Sequence, residues 1–313
     1  MATADEVATW HTEGWVVLDG LVGSDEIDAA VAQLWTSFPT PEEYHADPDG
    51  TRTKWLGTPP PSNEWFTWPS DGPGFRPEQH RWRAEFPFSD GGLLNRLCTH
   101  SSIVDFAERA LESTDLRLYQ AQMSAKYTGE VNYEQPMHAD RNHSWLPAIS
   151  SPPWRHMEAF LYLSDVWDDC APTHLVPKSR DGGRSTNCPL YMPDNDGDLY
   201  AEELPAIGPK GSLLAYRADV FHRGVDITEP GGARFLLNAS YRRAGQDWIG
   251  FHSFQSKNAA FEWTALVEES TPRELALYGF PEPGHEIWTL ELVESTQELY
   301  PKMNLDPWRD ALA

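Results

Sequence analysis

The chain has 313 residues, 40% of them apolar, enough for one substantial core within a single domain spanning 1–313. Its 48 acidic and 24 basic residues leave a net charge of −24, which argues against nucleic acid as a partner, because phosphates need a basic footprint. No apolar run reaches the roughly 18–20 residues of a membrane helix and the first residues lack a signal pattern, so no membrane partner and a cytoplasmic location are expected. Cys98, Cys170 and Cys188 are too few and too irregularly spaced for a disulfide framework or a zinc site.

In chain order, residues 3–10 read as a short helix and 14–19 as a strand. Ser24 is the expected N-cap of a second helix, with Asp25 and Glu26 complementing its dipole and Ile27, Val31, Leu34 and Trp35 at helical spacing. Residues 39–87 carry 10 of the 26 prolines, together with Trp55, Trp65, Trp68 and Trp82. That proline density prevents long regular elements, and the aromatic content is too high for a disordered linker. A structured insertion is expected. It is either a lid over substrate, with Arg76, Arg81 and Arg83 as anion contacts, or a secondary core.

Residues 93–111 show helical periodicity broken near 99–102. Residues 116–127 alternate as a strand, with Tyr119, Ala121, Met123, Ala125 and Tyr127 on one face and Gln120, Gln122, Ser124 and Lys126 on the other. The polar row either lines a pocket or faces solvent. Shortly after it comes the stretch on which the functional reading rests, Met137-His138-Ala139-Asp140-Arg141. In an extended segment, His138 and Asp140 project to the same side. An imidazole and a carboxylate so placed are two thirds of the facial triad that suits non-haem Fe(II).

The third ligand must come from another strand, and His222 is the best candidate, with His143, His156 and His174 as substitutes. Twelve residues after His222, Arg234 opens the strand RFLLNASYRR, in which Arg234, Asn238 and Ser240 share one face. An arginine among inward-facing residues needs a partner, and its planar fork matches a carboxylate bidentately. A dicarboxylate chelating the metal supplies one, with Ser240 assisting.

Further short strands at 157–163, 174–176, 211–216 and 234–241, separated by turn-rich segments, point to a sandwich or barrel. With the metal motif, the economical fold is mainly β with flanking helices around a double-stranded β-helix, a cupin-like jelly roll, over 114–243. The acidic run at 194–198 lacks the bidentate Glu of a calcium loop and reads as a solvated turn. Residues 258–313 read as a helical tail, with a capping box at Thr271 and Glu274, Pro272 at the first helical position and Gly279 as its stop; His285 is read as structural.

Taken together, these features resemble the phytanoyl-CoA dioxygenase family of Fe(II)/2-oxoglutarate oxygenases over most of the chain. The 10–22 segment (WHTEGWVVLDGLV) with the SDEI that follows is similar to the family's opening strand and helix. The 165–180 segment (DVWDDCAPTHLVPKSR) is similar to its D…NG…L…PGSH pattern, with Asp169 and Cys170 for Asn-Gly, Lys178 for Gly and Arg180 for the closing His. The resemblance implies an enzyme holding Fe(II) through His138, Asp140 and His222, and binding 2-oxoglutarate and O2. Arg234 would anchor the cosubstrate, and Ser240, Lys126 and Gln122 would touch cosubstrate or substrate. The implied substrate is a small molecule, and the oligomeric state is left open. Asp140 fills the position that related iron halogenases give to a small residue, so the implied product is oxidised and not halogenated. The competing expectations are a cupin-like metal enzyme or binding protein that uses no 2-oxoglutarate, which has no need of Arg234, and a non-enzymatic binding module.

Overall fold

The computed structural model describes residues 1–57, 81–89, 92–130, 134–140, 156–186, 191–194, 196–246, 249 and 261–312. Two antiparallel sheets form its centre. The larger is six-stranded, in the order β1 (Trp15–Leu18), β7 (Leu213–Arg217), β4 (His156–Tyr162), β9 (Ala233–Arg243), β3 (Leu116–Tyr127) and β2 (Arg83–Glu85). The smaller holds β6 (Leu204–Pro205), β5 (Thr173–Leu175) and β8 (His222–Gly224). Beyond β8 it is extended by bridges from His138 to His222 and from His138 to Tyr191. The result is the jelly-roll arrangement expected from the strand spacing together with the metal motif. Its larger sheet reaches outside 114–243, recruiting β1 and β2 from the N-terminal part of the chain.

Period-2 patterning gives the larger sheet two chemically different faces. Ala121, Met123 and Ala125 of β3, Leu237 and Ala239 of β9, and Met157, Ala159 and Leu161 of β4 are buried in the main apolar cluster, which also takes in the flanking helices. The opposite face is turned toward the smaller sheet. It carries Tyr162, Leu214, Tyr216 and Leu236 in a second apolar cluster, and polar residues along β3 and β9. A bulge between Leu118 and Gln120 alters the expected alternation. The extra residue, Tyr119, is not with Ala121 and Met123; its hydroxyl donates to Glu158 and its ring meets His156 edge-on, on the inner side.

The helices follow their end signals. In α1 (Ala4–Glu13) Thr3 and Glu6 form a capping box, and Gly14 ends the helix at φ 82. A side chain at Gly14 would be strained at that φ, and its Cβ would lie 2.5 Å from Val220. In α2 (Ser24–Val31) the N-cap is Gly23, with no side-chain bond, so Ser24 is the first helical residue and not the cap. The break expected near 99–102 separates α5 (Gly92–Leu97) from α6 (Ser101–Ala110).

The described ends of the 39–87 insertion are tied into the core. Here α3 (Pro41–Ala46) places Tyr44 in a stack on Tyr127, with ring centroids 4.2 Å apart, and buried Trp82 meets both rings edge-on. Arg52, from α4 (Pro48–Leu56), and Arg81 both pair with Glu130, at 2.8 and 2.6 Å. Arg81 is therefore committed to a structural ion pair. Trp65, Trp68 and Arg76 lie outside the described residues, as do Arg141, His143 and Cys188.

Toward the C-terminus, α7 (Gly197–Tyr200) is capped by Asp196, which also takes a two-pronged bond from Arg184 at 2.9 and 2.7 Å. This use of Asp196 is structural, in keeping with the turn reading. The tail comprises α8 (Phe261–Glu269), α9 (Pro272–Leu277), α10 (Leu290–Leu299) and α11 (Asp306–Asp310). The Thr271–Glu274 capping box is present, with Pro272 at the helix start, and Trp263, Val267, Leu275 and Trp308 dock into the main cluster. His285 is exposed and its Nδ1 accepts the Ile287 amide, a local turn bond. Among the described residues no helix is long and apolar enough to cross a membrane.

Candidate metal centre

His138 and His222 face each other across the smaller sheet. Each backbone amide donates to the other's carbonyl, at 3.0 and 2.7 Å. Residues opposed in this way project side chains to one face. The two rings accordingly lie 4.4 Å apart. Asp140, two residues beyond His138 in an extended segment, turns to the same side. One carboxylate oxygen is 4.0 Å from His138 Nε2 and the other 3.4 Å from His222 Nε2. A donor atom from each of the three residues lies within 4.8 Å of the others, and the cluster is largely buried.

Hydrogen bonds fix how the ligands present themselves. His138 Nδ1 lies 2.9 Å from the Pro136 carbonyl and His222 Nδ1 3.1 Å from that of Val220. A carbonyl only accepts, so each Nδ1 carries the proton and each Nε2 offers its lone pair to the common centre. Tyr216, on the inner face of β7, donates its hydroxyl to Asp140 Oδ2 at 2.9 Å and packs its ring 4.7 Å from that of His222. Burial, with the Asp140 and Glu158 carboxylates nearby, pushes that phenol well above its ordinary value, so it remains a donor.

The turn leading into His222 is also braced. Arg217 forms a two-pronged pair with Asp219 at 2.8 and 2.7 Å and donates to the His11 carbonyl at the end of α1. Lys178 pairs with Asp181 at 2.5 Å and donates to the Asp219 carbonyl at 3.1 Å. Arg180, in place of the closing His, sits half-exposed beside Glu202.

Two nitrogen ligands and one carboxylate on one face, with Nε2 lone pairs converging, match the donor set of a non-haem Fe(II) site. Of the substitute histidines, the two that are described stand elsewhere. His156 lies beside Glu158 on the larger sheet, and His174 pairs with Glu203 at 3.0 Å.

Arg234 and Lys126 are opposed across β9 and β3 and so share the inner face. Arg234 is fully buried. It donates to the Ala171 carbonyl, its Nε has no hydrogen-bond partner, and no carboxylate pairs with it among the described residues. Burial pulls its guanidinium down to about 10. Lys126, donating to the Val225 carbonyl at 2.7 Å, is drawn down to about 7 by burial and then by the charge of Arg234. Lys126, whose partner carbonyl at Val225 is three residues along the chain from His222, and Arg234 stand side by side, an arrangement of positive charge that an anion would complement.

Ser240, expected to assist at the cosubstrate, and Gln122, expected to touch cosubstrate or substrate, lie farther away. Ser240 is six residues beyond Arg234 along β9, about 20 Å at the usual strand rise, and Gln122 is four residues from Lys126, about 13 Å. A five-carbon diacid spans only roughly 5–6 Å. The Ser240 hydroxyl is instead 2.6 Å from Glu158 Oε2 and 2.8 Å from Asn238 Oδ1. Arg234 and Lys126 are thus brought together, whereas Ser240 and Gln122 belong to a different part of the same face.

Sequence reasoning passed over Tyr216 and Glu158. A lone carboxylate inside the apolar strand HMEAFLY was a usable signal for Glu158. Tyr216 is one aromatic in a strand full of buried residues, and nothing in the local pattern marks it.

Solved structures share this architecture. SnoK, described as a non-heme alpha ketoglutarate dependent carbocyclase from nogalamycin biosynthesis, matches with a TM-score of 0.55 at 16% identity, over 78% of this chain and 85% of that one. EctD from S. alaskensis, solved with 2-oxoglutarate and 5-hydroxyectoine, matches with a TM-score of 0.56 at 15% identity, over 81% and 82%. AviO1 from Streptomyces viridochromogenes Tue57 matches at 0.51 and 16% identity, over 79% and 98%. At these identities the likeness is one of fold. No protein-family model matches the sequence. No curated protein matches it by sequence.

Proposed function

We propose that the chain is a non-haem Fe(II)/2-oxoglutarate-dependent oxygenase acting on a small molecule through hydrogen abstraction. Within that superfamily, the sequence resemblance supports a member of the phytanoyl-CoA dioxygenase type. The observation that carries the reading is the convergence of His138, Asp140 and His222 within 4.8 Å on one face. Iron bound there supplies oxidative decarboxylation of a 2-oxo acid coupled to oxidation of an unactivated C–H bond.

The chain's own work is binding and aim. His138 and His222 present unprotonated Nε2 atoms, held so by backbone carbonyls. Asp140 supplies the third ligand, oriented by Tyr216. Arg234 offers a planar fork to the distal carboxylate of 2-oxoglutarate, and Lys126 adds charge beside it. A cupin-like protein that uses no 2-oxo acid needs neither buried cation, so the Arg234–Lys126 pair favours the oxygenase over that alternative. The test is a panel of small molecules scored by succinate release from 2-oxoglutarate under O2. Turnover is expected in the native chain and not in His222→Ala. Equal turnover in both would move the chemistry elsewhere.

A further inference from the structure

The inner face of the larger sheet divides into a charged part and an uncharged part. Lys126 and Arg234 stand together. Four and six residues away along β3, Gln122 and Gln120 stand opposite Asn238 and Ser240 of β9, with Glu158 of β4 adjoining them. Glu158 is paired across the sheet with Tyr216, the residue that holds Asp140, so this floor adjoins the metal centre.

The floor mixes the carboxylate of Glu158, the amides of Gln120, Gln122 and Asn238, which both donate and accept, and two hydroxyls. The Tyr119 and Ser240 hydroxyls each have one proton, and both are directed at Glu158, with Ser240 also in range of Asn238 Oδ1. The side-chain oxygens of Gln120 and Gln122 are buried with no hydrogen-bond partner among the described residues, and Gln120 is only 5% exposed. A buried amide left unpaired is costly, so the complementary ligand is one that pairs with it. An ammonium only donates, whereas a hydroxyl donates and accepts, and so satisfies an amide in either of its two orientations. An alkyl chain satisfies neither.

We infer that this floor selects a neutral, hydroxylated small molecule, with Gln120 and Gln122 as specificity-determining contacts; the inference rests on the oxygenase reading. The test loads the protein anaerobically with Fe(II) and 2-oxoglutarate and reads the weak visible absorption of that complex. Three sets of probes are added: myo-inositol and methyl glycosides, decanoic acid and decanoyl-CoA, and the diamine cadaverine. Succinate release is then scored in air.

A hydroxylated probe is expected to shift the absorption and to raise succinate release tenfold or more, with no response to the acyl or diamine probes. Gln120→Leu is expected to weaken the response to that probe by roughly tenfold or more while the 2-oxoglutarate titration stays unchanged, which also reports that the variant is folded. Gln120→Asn, which keeps the amide, is expected to retain part of the response. A response confined to acyl or diamine probes, no response to any probe, or an unaltered response in Gln120→Leu would each overturn the inference. Failure of the Fe(II)/2-oxoglutarate absorption to form at all would instead overturn the oxygenase reading.

Discussion

Tyr216 touches two of the three candidate ligands, by a 2.9 Å hydrogen bond to Asp140 and by ring contact with His222. Removing an outer partner of this kind lowers metal affinity by about 10–100-fold. Tyr216→Phe is therefore expected to weaken Fe(II) binding by that factor in an anaerobic chelator competition, with the melting temperature little changed. Unaltered affinity would reduce Tyr216 to packing. Lys126 sets a pH dependence. Its ammonium is drawn down to about 7, so it is charged below that pH and neutral above it. Both carboxylates of 2-oxoglutarate are ionised throughout, so affinity for the diacid should fall as pH rises from 6 to 8.5. In Lys126→Met the slope should flatten, and an identical slope in that variant would separate Lys126 from the cosubstrate.

At the level of elements, legibility followed the strength of the local pattern. Strand β3 ends where its alternation does, at Leu116 and Tyr127, but the bulge that turns Tyr119 inward depends on its pairing with β9 and leaves no trace in sequence. The inward direction of Arg234 was readable because period 2 fixes the face; the separation of Ser240 from it was equally implicit in six residues of strand rise. His138 and Asp140 were readable as a pair, whereas their bridge to His222 is a long-range contact that spacing alone does not specify. The N-cap of α2 falls one residue earlier than Ser24 because Gly23 takes the extended conformation there.

The insertion is the element whose role most needed coordinates, since Arg52 and Arg81 converge on buried Glu130 and Trp82 joins the Tyr44–Tyr127 stack. Glu130→Ala would leave two partly exposed arginines facing each other and is expected to cost about 1–3 kcal/mol in a urea titration, with Fe(II) affinity preserved. Loss of iron binding without loss of stability would contradict this structural role.

For the molecule as a whole, one physical rule organises both fold and site. Each strand of the larger sheet gives its apolar row to the helices and its other row to the interior. That interior row changes from cations at Lys126 and Arg234 to amides and hydroxyls at Gln120, Gln122, Asn238 and Ser240. The smaller sheet supplies the facing histidines. In the proposed reading, the cations mark a cosubstrate end and the amides a substrate end of the same strands.

The central claim, that His138, Asp140 and His222 hold Fe(II) while Arg234 anchors a 2-oxo diacid, is tested most directly by anaerobic titration of the protein with Fe(II) and then 2-oxoglutarate, following the visible absorption of the chelate. The native chain should develop the band with saturable dependence on 2-oxoglutarate. Arg234→Lys, which keeps the charge but loses the fork, should need severalfold more of it or worse, and His222→Ala should give no band. A band of undiminished strength in His222→Ala, or 2-oxoglutarate dependence unchanged in Arg234→Lys, would contradict the account.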